Sequence, residues 1–419
     1  MKNKKKILNN HVLNEGYKNN PELFDNANGS RIIIGNKDYL DLSFAAGSLL
    51  LGHQSKIFIQ SLKEIIKKKL SIMAAPNKQA QNFSKILKNL FPHFKNFIFC
   101  STGSEAVMKS IRISKAVTKK NLIMSVTGSW HGSNDRTLFT VDKNFKSTPI
   151  SSGLTKYDQS QIKFLPYNDI AISKKILDKS KKKISCILIE PIQASLPNSE
   201  VRKYLIFLKN YAQKNKIILI FDEMITGLRT NGGSVQTFFK IKPDISTFGK
   251  CFGGGMPIGI IGVSKKIDAL INKQQPKVFF GGTFSGNSIS TYVGKKTVEY
   301  IIKNKKKIFK NLNLKSKFFS ENLNKLITKN HLKISIYKFH SMFRIVFTDK
   351  IVKNRIQRDF FESKKNKKIN QFKKFLFKNK IYYPSNGIIF ISYQTSYEDI
   401  KKILKFFEIG LIKYFKNEK

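Results

Sequence analysis

Five short segments in the middle of the chain are almost wholly apolar: NFIFC (96–100), NLIMSV (121–126), ISCILIE (184–190), KIILIFDE (216–223) and IGIIGV (258–263). They are rich in β-branched residues and of strand length, which predicts strands buried on both faces of a sheet. Between the third and fourth, Val201, Tyr204, Leu205, Leu208, Tyr211 and Ala212 recur at helical spacing, with Asn198 or Ser199 as the expected N-cap. Strands alternating with helices predict an α/β architecture around a mostly parallel sheet. Such sheets bind ligands at the carboxyl ends of their strands, so the residues that follow each apolar run are the candidates for chemistry. From about Tyr300 the pattern reads as a smaller α/β unit. GIIFISY (387–393) is a strand, and SYEDIKKILKFFEIGLIKYF (396–415) is an amphipathic helix opened by Ser396 and Asp399 as a capping box. SKKNKKINQFKK (363–374) is open between a loop and an exposed helix, with its charges on a solvated face.

Composition narrows the class. A chain of 419 residues, 41% of them hydrophobic, buries a large core, and at roughly 100–200 residues per domain it predicts two structural units. The formal charge of +50 invites a nucleic-acid reading. However, the basic residues are scattered in short runs such as KNKKK (2–6), KSKKK (179–183) and KNKKK (303–307), and only eight of the 77 are arginine. Phosphate readers favour Arg forks and aromatic platforms, so no specific nucleic-acid partner is expected, and the abundance of Lys, Ile and Asn fits a coding bias. Cys100, Cys186 and Cys251 have neither ligand spacing nor even pairing, which suits a reducing cytoplasm. The start, MKNKKKILNNHVLN, lacks the apolar core of a signal peptide, and no run approaches the ~20 apolar residues of a membrane span. A cytoplasmic protein without membrane contact is expected.

Candidate chemistry follows the strands. After NFIFC, Thr102 and Glu105 have capping-box spacing ahead of an apolar stripe of Val107, Met108, Ile111 and Ala116, and Gly103 lets the helix-start amides approach an anion. The turn is either a phosphate cradle or a capped helix without a ligand. After NLIMSV, TGSWHGSND holds the only tryptophan, Trp130, beside His131; it serves as a packing anchor or as a cofactor platform. Asp222 ends a fully apolar strand, so it needs a positive partner: an Arg or Lys from a neighbouring strand, or a protonated ring. Lys250 is unlike the other lysines. Its nearest charged neighbour in sequence is Asp244, and CFGGGMPIG follows it, where three successive glycines rule out an ordinary helix. A desolvated lysine at a strand's carboxyl end is the type that forms Schiff bases. A phosphate cradle, a stacking aromatic, a carboxylate and such a lysine together suit pyridoxal 5'-phosphate.

CSTGSEAVMKSIRISKA, GSWHGSNDRTLF, LIEPI, IFDEMITGLRTNGG, KPDISTFGKCFGGGMPIG and GGTFSGNSIS resemble, in order and approximate spacing, the motifs of the class III aminotransferases, and among them the glutamate-1-semialdehyde 2,1-aminomutases. The resemblance is dense from about Leu40 to Gly294. It implies the fold type I architecture: a large domain around a seven-stranded sheet (51–299) and a small domain from both chain ends (1–50 and 300–419). It also implies a homodimer with shared active sites. Lys250 would be the Schiff-base lysine, Asp222 the pyridinium partner, and Gly103 and Ser104 the phosphate cradle. Trp130 would be the stacking aromatic before His131, and Thr283 would reach the neighbouring subunit's phosphate. The departures fall where substrate is read. The family's N-terminal Arg has no counterpart in residues 1–30, and the C-terminal Glu is absent from YPSNGIIFIS (383–392). The expected activity is therefore amino transfer between an amino donor and a carbonyl acceptor, with aminomutase activity as the alternative. A catalytically dead basic binding protein is disfavoured by the intact Lys250, Asp222 and cradle.

Overall fold

The computed structural model describes residues 23–142 and 144–416; the basic start of the chain lies outside the described residues. Seven strands form the main sheet: β1 (Phe94–Cys100), β2 (Leu122–Val126), β3 (Ile162–Leu165), β4 (Ile184–Ile189), β5 (Ile218–Asp222), β6 (Ile245–Gly249) and β7 (Gly259–Ser264). Their spatial order is β1-β7-β6-β5-β4-β2-β3. β3, β2, β4, β5 and β6 run parallel, and β7 lies antiparallel between β6 and β1. All five apolar runs are strands, while β3 has the mixed sequence IKFL and gives a weaker pattern.

The strands divide their side chains between two cores. Met124, Val126, Ile187, Ile189, Leu219 and Phe221 face one side, where they meet Tyr204, Leu205 and Leu208 of the helix Arg202–Lys214. Ile123, Cys186, Leu188, Ile218 and Ile220 face the other, against Ala106, Val107 and Ile111 of α1 (Gly103–Thr118). Apolar residues on both faces are what a sheet covered by helices on both sides requires.

Both helix starts differ from the expected caps. Helix Arg202–Lys214 begins from Val201, which makes no side-chain cap, while Asn198 Oδ1 accepts from Glu200 N at 2.9 Å one turn earlier. At α1, Thr102 caps as predicted by accepting from Glu105 N at 3.2 Å, but Glu105 reaches back to Ser101 N (2.8 Å) instead of closing the box on Thr102.

The chain ends share a sheet: Lys37–Asp41 pairs antiparallel with Arg31–Ile34 and parallel with Ile381–Tyr382. A second small sheet joins Ser335–Phe339, Met342–Val346 and Ile388–Phe390, so the strand expected over 387–393 is only three residues long. Phe319, Phe343, Phe372 and Phe407 fill the core between these strands and the helices Lys305–Lys329, Asn366–Lys378 and Tyr397–Phe415. The segment left open in sequence is therefore helical from Asn366, and buries Ile369, Phe372 and Leu376. Ser396 and Asp399 form the capping box as expected. Helix Ser288–Lys303 runs through residue 299 and meets the next helix at Asn304.

Candidate active site

The site lies at the carboxyl ends of β1, β2, β4, β5 and β6. Asp222, the last residue of β5, is 3% exposed. Its Oδ2 is 2.7 Å from His131 Nδ1, and its Oδ1 accepts from Thr247 Oγ1 (3.1 Å) and Met224 N (3.2 Å). The basic group it meets is thus a histidine from the loop after β2, and no Arg or Lys pairs with it among the described residues. The other ring nitrogen, His131 Nε2, is buried and has no hydrogen-bond partner among the described residues. Glu223 serves the fold: it is fully buried and accepts from Val235 N and Gln236 N at 2.7 and 2.9 Å, at the start of the next short helix.

Glu190, directly after β4, is the residue that sequence reasoning passed over. Its carboxylate accepts from Trp130 N at 2.5 Å and Ala194 N at 3.4 Å and thereby fixes the Trp130–His131 loop. Burial, with Asp222 nearby, pushes its pKa up to about 7 against the pull of His131. The rule of inspecting the residue after each apolar run would have found it. Trp130 itself is 57% exposed. Ser104, in the first turn of α1, accepts from Ser133 N at 3.0 Å, so the helix start and the Trp130–His131 loop are in contact. Gly132 lets this happen, since a Cβ there would strike Ser104, and Gly259 on β7 in turn leaves room for the Thr102 carbonyl behind the helix start.

Lys250 follows β6 and begins one turn of 3₁₀-helix, Lys250–Gly253, in place of an ordinary helix. Its φ is +48°, a left-handed conformation that is costly for a side-chain-bearing residue. Nζ donates to Ala46 O at 2.9 Å. Burial lowers its pKa; Glu190 and Asp222 oppose the shift and Arg229 reinforces it. Ala46 belongs to a turn that nothing in the sequence announced. Phe44, Ala45, Ala46 and Gly47 all have positive φ (+44°, +51°, +53° and +81°), a single left-handed turn held by Asp41, whose carboxylate accepts from Ser43 N and Phe44 N. Its carbonyls point at the site: Gly47 O accepts from Arg229 and from Cys251 Sγ. Arg229 is 2% exposed, lies 4.5 Å from the Phe390 ring centroid and has no carboxylate partner among the described residues. Thr283 stands apart from this group, exposed on the turn Gly282–Ser285 beside α1.

The donor set fits pyridoxal phosphate. A buried carboxylate without a Lys or Arg partner suits a cationic ring, a desolvated amine suits an aldehyde, and a glycine-bearing helix start suits a phosphate. The sequence profile "Aminotransferase class-III" matches residues 13–369. The chain is 31% identical over 395 residues to the glutamate-1-semialdehyde 2,1-aminomutase of Thermodesulfovibrio yellowstonii, covering 92% of this chain and 90% of that one. It is 32% identical to the enzyme of the same name from Thermosipho melanesiensis, at the same coverage. Among solved structures, an omega-transaminase from Sphaerobacter thermophilus superimposes with a TM-score of 0.87 at 19% identity, covering 94% of this chain and 92% of that one. A glutamate-1-semialdehyde aminomutase from Pseudomonas aeruginosa, in complex with PMP, gives 0.83 at 15% identity, covering 94% and 88%. These likenesses agree with the seven-stranded, mostly parallel sheet of fold type I. The chain belongs to the class-III aminotransferases, enzymes that work with pyridoxal phosphate.

Proposed function

We propose that this enzyme transfers an amino group from an amino-acid donor to a small carbonyl acceptor other than glutamate-1-semialdehyde, using pyridoxal phosphate joined to Lys250. The observation that carries the choice of substrate is the segment Tyr383–Ser392. It contains no acidic residue, and its Phe390 lies over the Arg229 guanidinium. An aminomutase must retain its intermediate and return the amino group to the same carbon skeleton, which calls for a carboxylate clamp and a closed site. The second reading, glutamate-1-semialdehyde 2,1-aminomutase, is favoured by the names of the similar relatives.

When bound, the cofactor supplies an electron sink for the pair left by the broken substrate Cα–H bond. Asp222 keeps the proton on the ring nitrogen, and His131 and Thr247 hold its carboxylate in one orientation. Gly103 and Ser104 receive the phosphate at the start of α1, and Trp130 covers the ring, with its loop anchored on Glu190. Lys250 would accept the proton leaving the substrate Cα and hand it on as the amino group is transferred; its lowered pKa raises the fraction of free amine near neutral pH. Thr283 serves the phosphate of the other subunit in a homodimer. That assembly is supported by the apolar side chains flanking it in the open, Phe279 (72% exposed) and Phe284 (55%), which call for a covering surface. An obligate interface of this kind buries more than about 2,000 Å². The small domain is proposed to draw on both chain ends, taking up to residue 50 on one side and from residue 300 on the other. No helix among the described residues is long and apolar enough to cross a membrane, and the cytoplasm is the proposed location.

The test is to supply glutamate-1-semialdehyde to enzyme in the pyridoxamine form. Slow or absent formation of 5-aminolevulinate, with glutamate or another donor restoring the pyridoxamine form, is expected. Turnover in the usual enzymatic range of roughly 1 to 10³ per second would establish the aminomutase instead.

A further inference from the structure

We propose that Lys109, held by Glu105, is a positioning residue for the turn that carries Thr283, and so links the cofactor cradle of one subunit to the cofactor site of the other. The proposal rests on the dimer reading above, in which Thr283 serves the other subunit.

Lys109 is 1% exposed, one of only two buried lysines among the described residues of a chain with 69. A buried ammonium is costly unless its donors are used, and all three are. Nζ donates to Glu105 Oε1 at 2.5 Å, to Phe280 O at 2.7 Å and, more weakly, to Ser285 Oγ at 3.5 Å. Glu105 completes the grip. Oε1 also accepts from Ser285 Oγ at 3.3 Å, and Oε2 accepts from Ser101 N. One turn further along α1, Arg112 donates to Phe279 O at 2.8 Å. Burial disfavours the charge on Glu105, but the bonds from Lys109 and Ser101 outweigh it and hold the carboxyl below its ordinary range.

The segment being gripped is the one that bears Thr283. Ser285 N donates to Gly282 O at 2.9 Å, closing a turn with Thr283 exposed on it. A Cβ at Gly282 would lie 3.1 Å from Glu105 Oε1 and 2.6 Å from Ser285 Oγ, so glycine is what lets the turn lie against the carboxylate. Glu105 and Lys109 stand within two turns of Gly103 and Ser104 on the same helix. A single rigid helix therefore cradles one phosphate at its start and, through its flank, aims Thr283 at the other.

The experiment uses heterodimers in which one chain carries Lys250→Ala, so that borohydride can fix cofactor at only one site, on the other chain. Lys109→Met is placed either on the Lys250→Ala chain or on the chain that keeps Lys250. The pyridoxal phosphate concentration that half-loads the fixable site is then measured by mass spectrometry. With both substitutions on one chain, that concentration is expected to rise about tenfold, the scale of one lost charge-assisted hydrogen bond. With the substitutions on separate chains it should stay within about twofold. The reverse pattern, equal weakening in both arrangements, or no effect in either overturns the proposal. Thr283→Ala is run in parallel. If it weakens the site of its own chain, or neither site, the dimer reading fails and the proposal with it. If it acts across the dimer while Lys109→Met does not, the proposal alone fails. The double change Lys109→Met/Glu105→Gln leaves no unpaired buried charge and takes the place of the single variant if that does not fold.

Discussion

Asp222 and Glu190 are two carboxylates at the ends of neighbouring strands, and their surroundings give them different work. Asp222 is answered by His131, Thr247 and a backbone amide. Among the described residues Glu190 receives two backbone amides and no side-chain donor, and desolvation raises its pKa to about 7. In the unfolded chain a Glu ionises near 4.3. Between that value and 7 the unfolded state loses its proton while the folded state keeps one, so Glu190 makes stability fall as pH rises through this window, and the loss is complete above it. Glu190→Gln removes the titration. The cofactor-free variant is expected to gain stability over the parent as pH rises from about 5 to 8, by at most on the order of 3 kcal/mol. Urea midpoints across that range check it, and parallel curves for the two proteins would refute it. The same desolvation acts on Lys250 with opposite charge, which is why one pocket holds a reluctant acid and a reluctant ammonium together.

The left-handed turn Phe44–Gly47 shows where sequence reading stops. Left-handed backbone is announced by glycine, yet only the last of its four residues is one. Phe44, Ala45 and Ala46 are held there by Asp41 from outside the turn, and no local rule reads such a tertiary override. Left-handed φ costs an L-residue roughly 1–2 kcal/mol, against about 0.5–1 kcal/mol for the flexibility of glycine. Ala45→Gly is therefore expected to stabilise the protein by up to about 1 kcal/mol in chemical denaturation, while destabilisation would show that the turn is not strained. The positions of Lys250 and Asp222 at strand ends were legible for a physical reason. Apolar runs mark buried strands, the sheet's ligand edge lies at their ends, and a charge at such an end stands out. The strand-to-cradle contact, by contrast, depends on Gly259 meeting Thr102, and the grip of Lys109 on Phe280 and Ser285 joins segments about 170 residues apart. Neither leaves a periodicity to find. At the start of Arg202–Lys214 the helix needed no side-chain cap because Val201 is buried in the core, so packing did what Asn198 or Ser199 was expected to do.

For the whole molecule the dominant quantity is charge. Each chain carries +50, so two copies repel as they approach, and the interface proposed around Phe279 and Phe284 must overcome that repulsion with apolar burial. Salt screens it over about 8 Å at physiological ionic strength and 30 Å at 0.01 M. The dimer is expected to tighten as salt is raised from about 10 to 150 mM, which sedimentation velocity can follow. Weakening over that range would mean that ion pairs hold the interface instead. The pairing of Leu40 with Ile381, at opposite ends of the chain, has a further consequence during synthesis. The early strand leaves the ribosome about 340 residues before the strand that will lie beside it. At roughly 5–20 residues per second it waits on the order of half a minute with one edge unsatisfied. Through that interval the nascent chain offers an open strand edge to any neighbouring polypeptide, and the risk of pairing with the wrong one ends only when the late strand emerges.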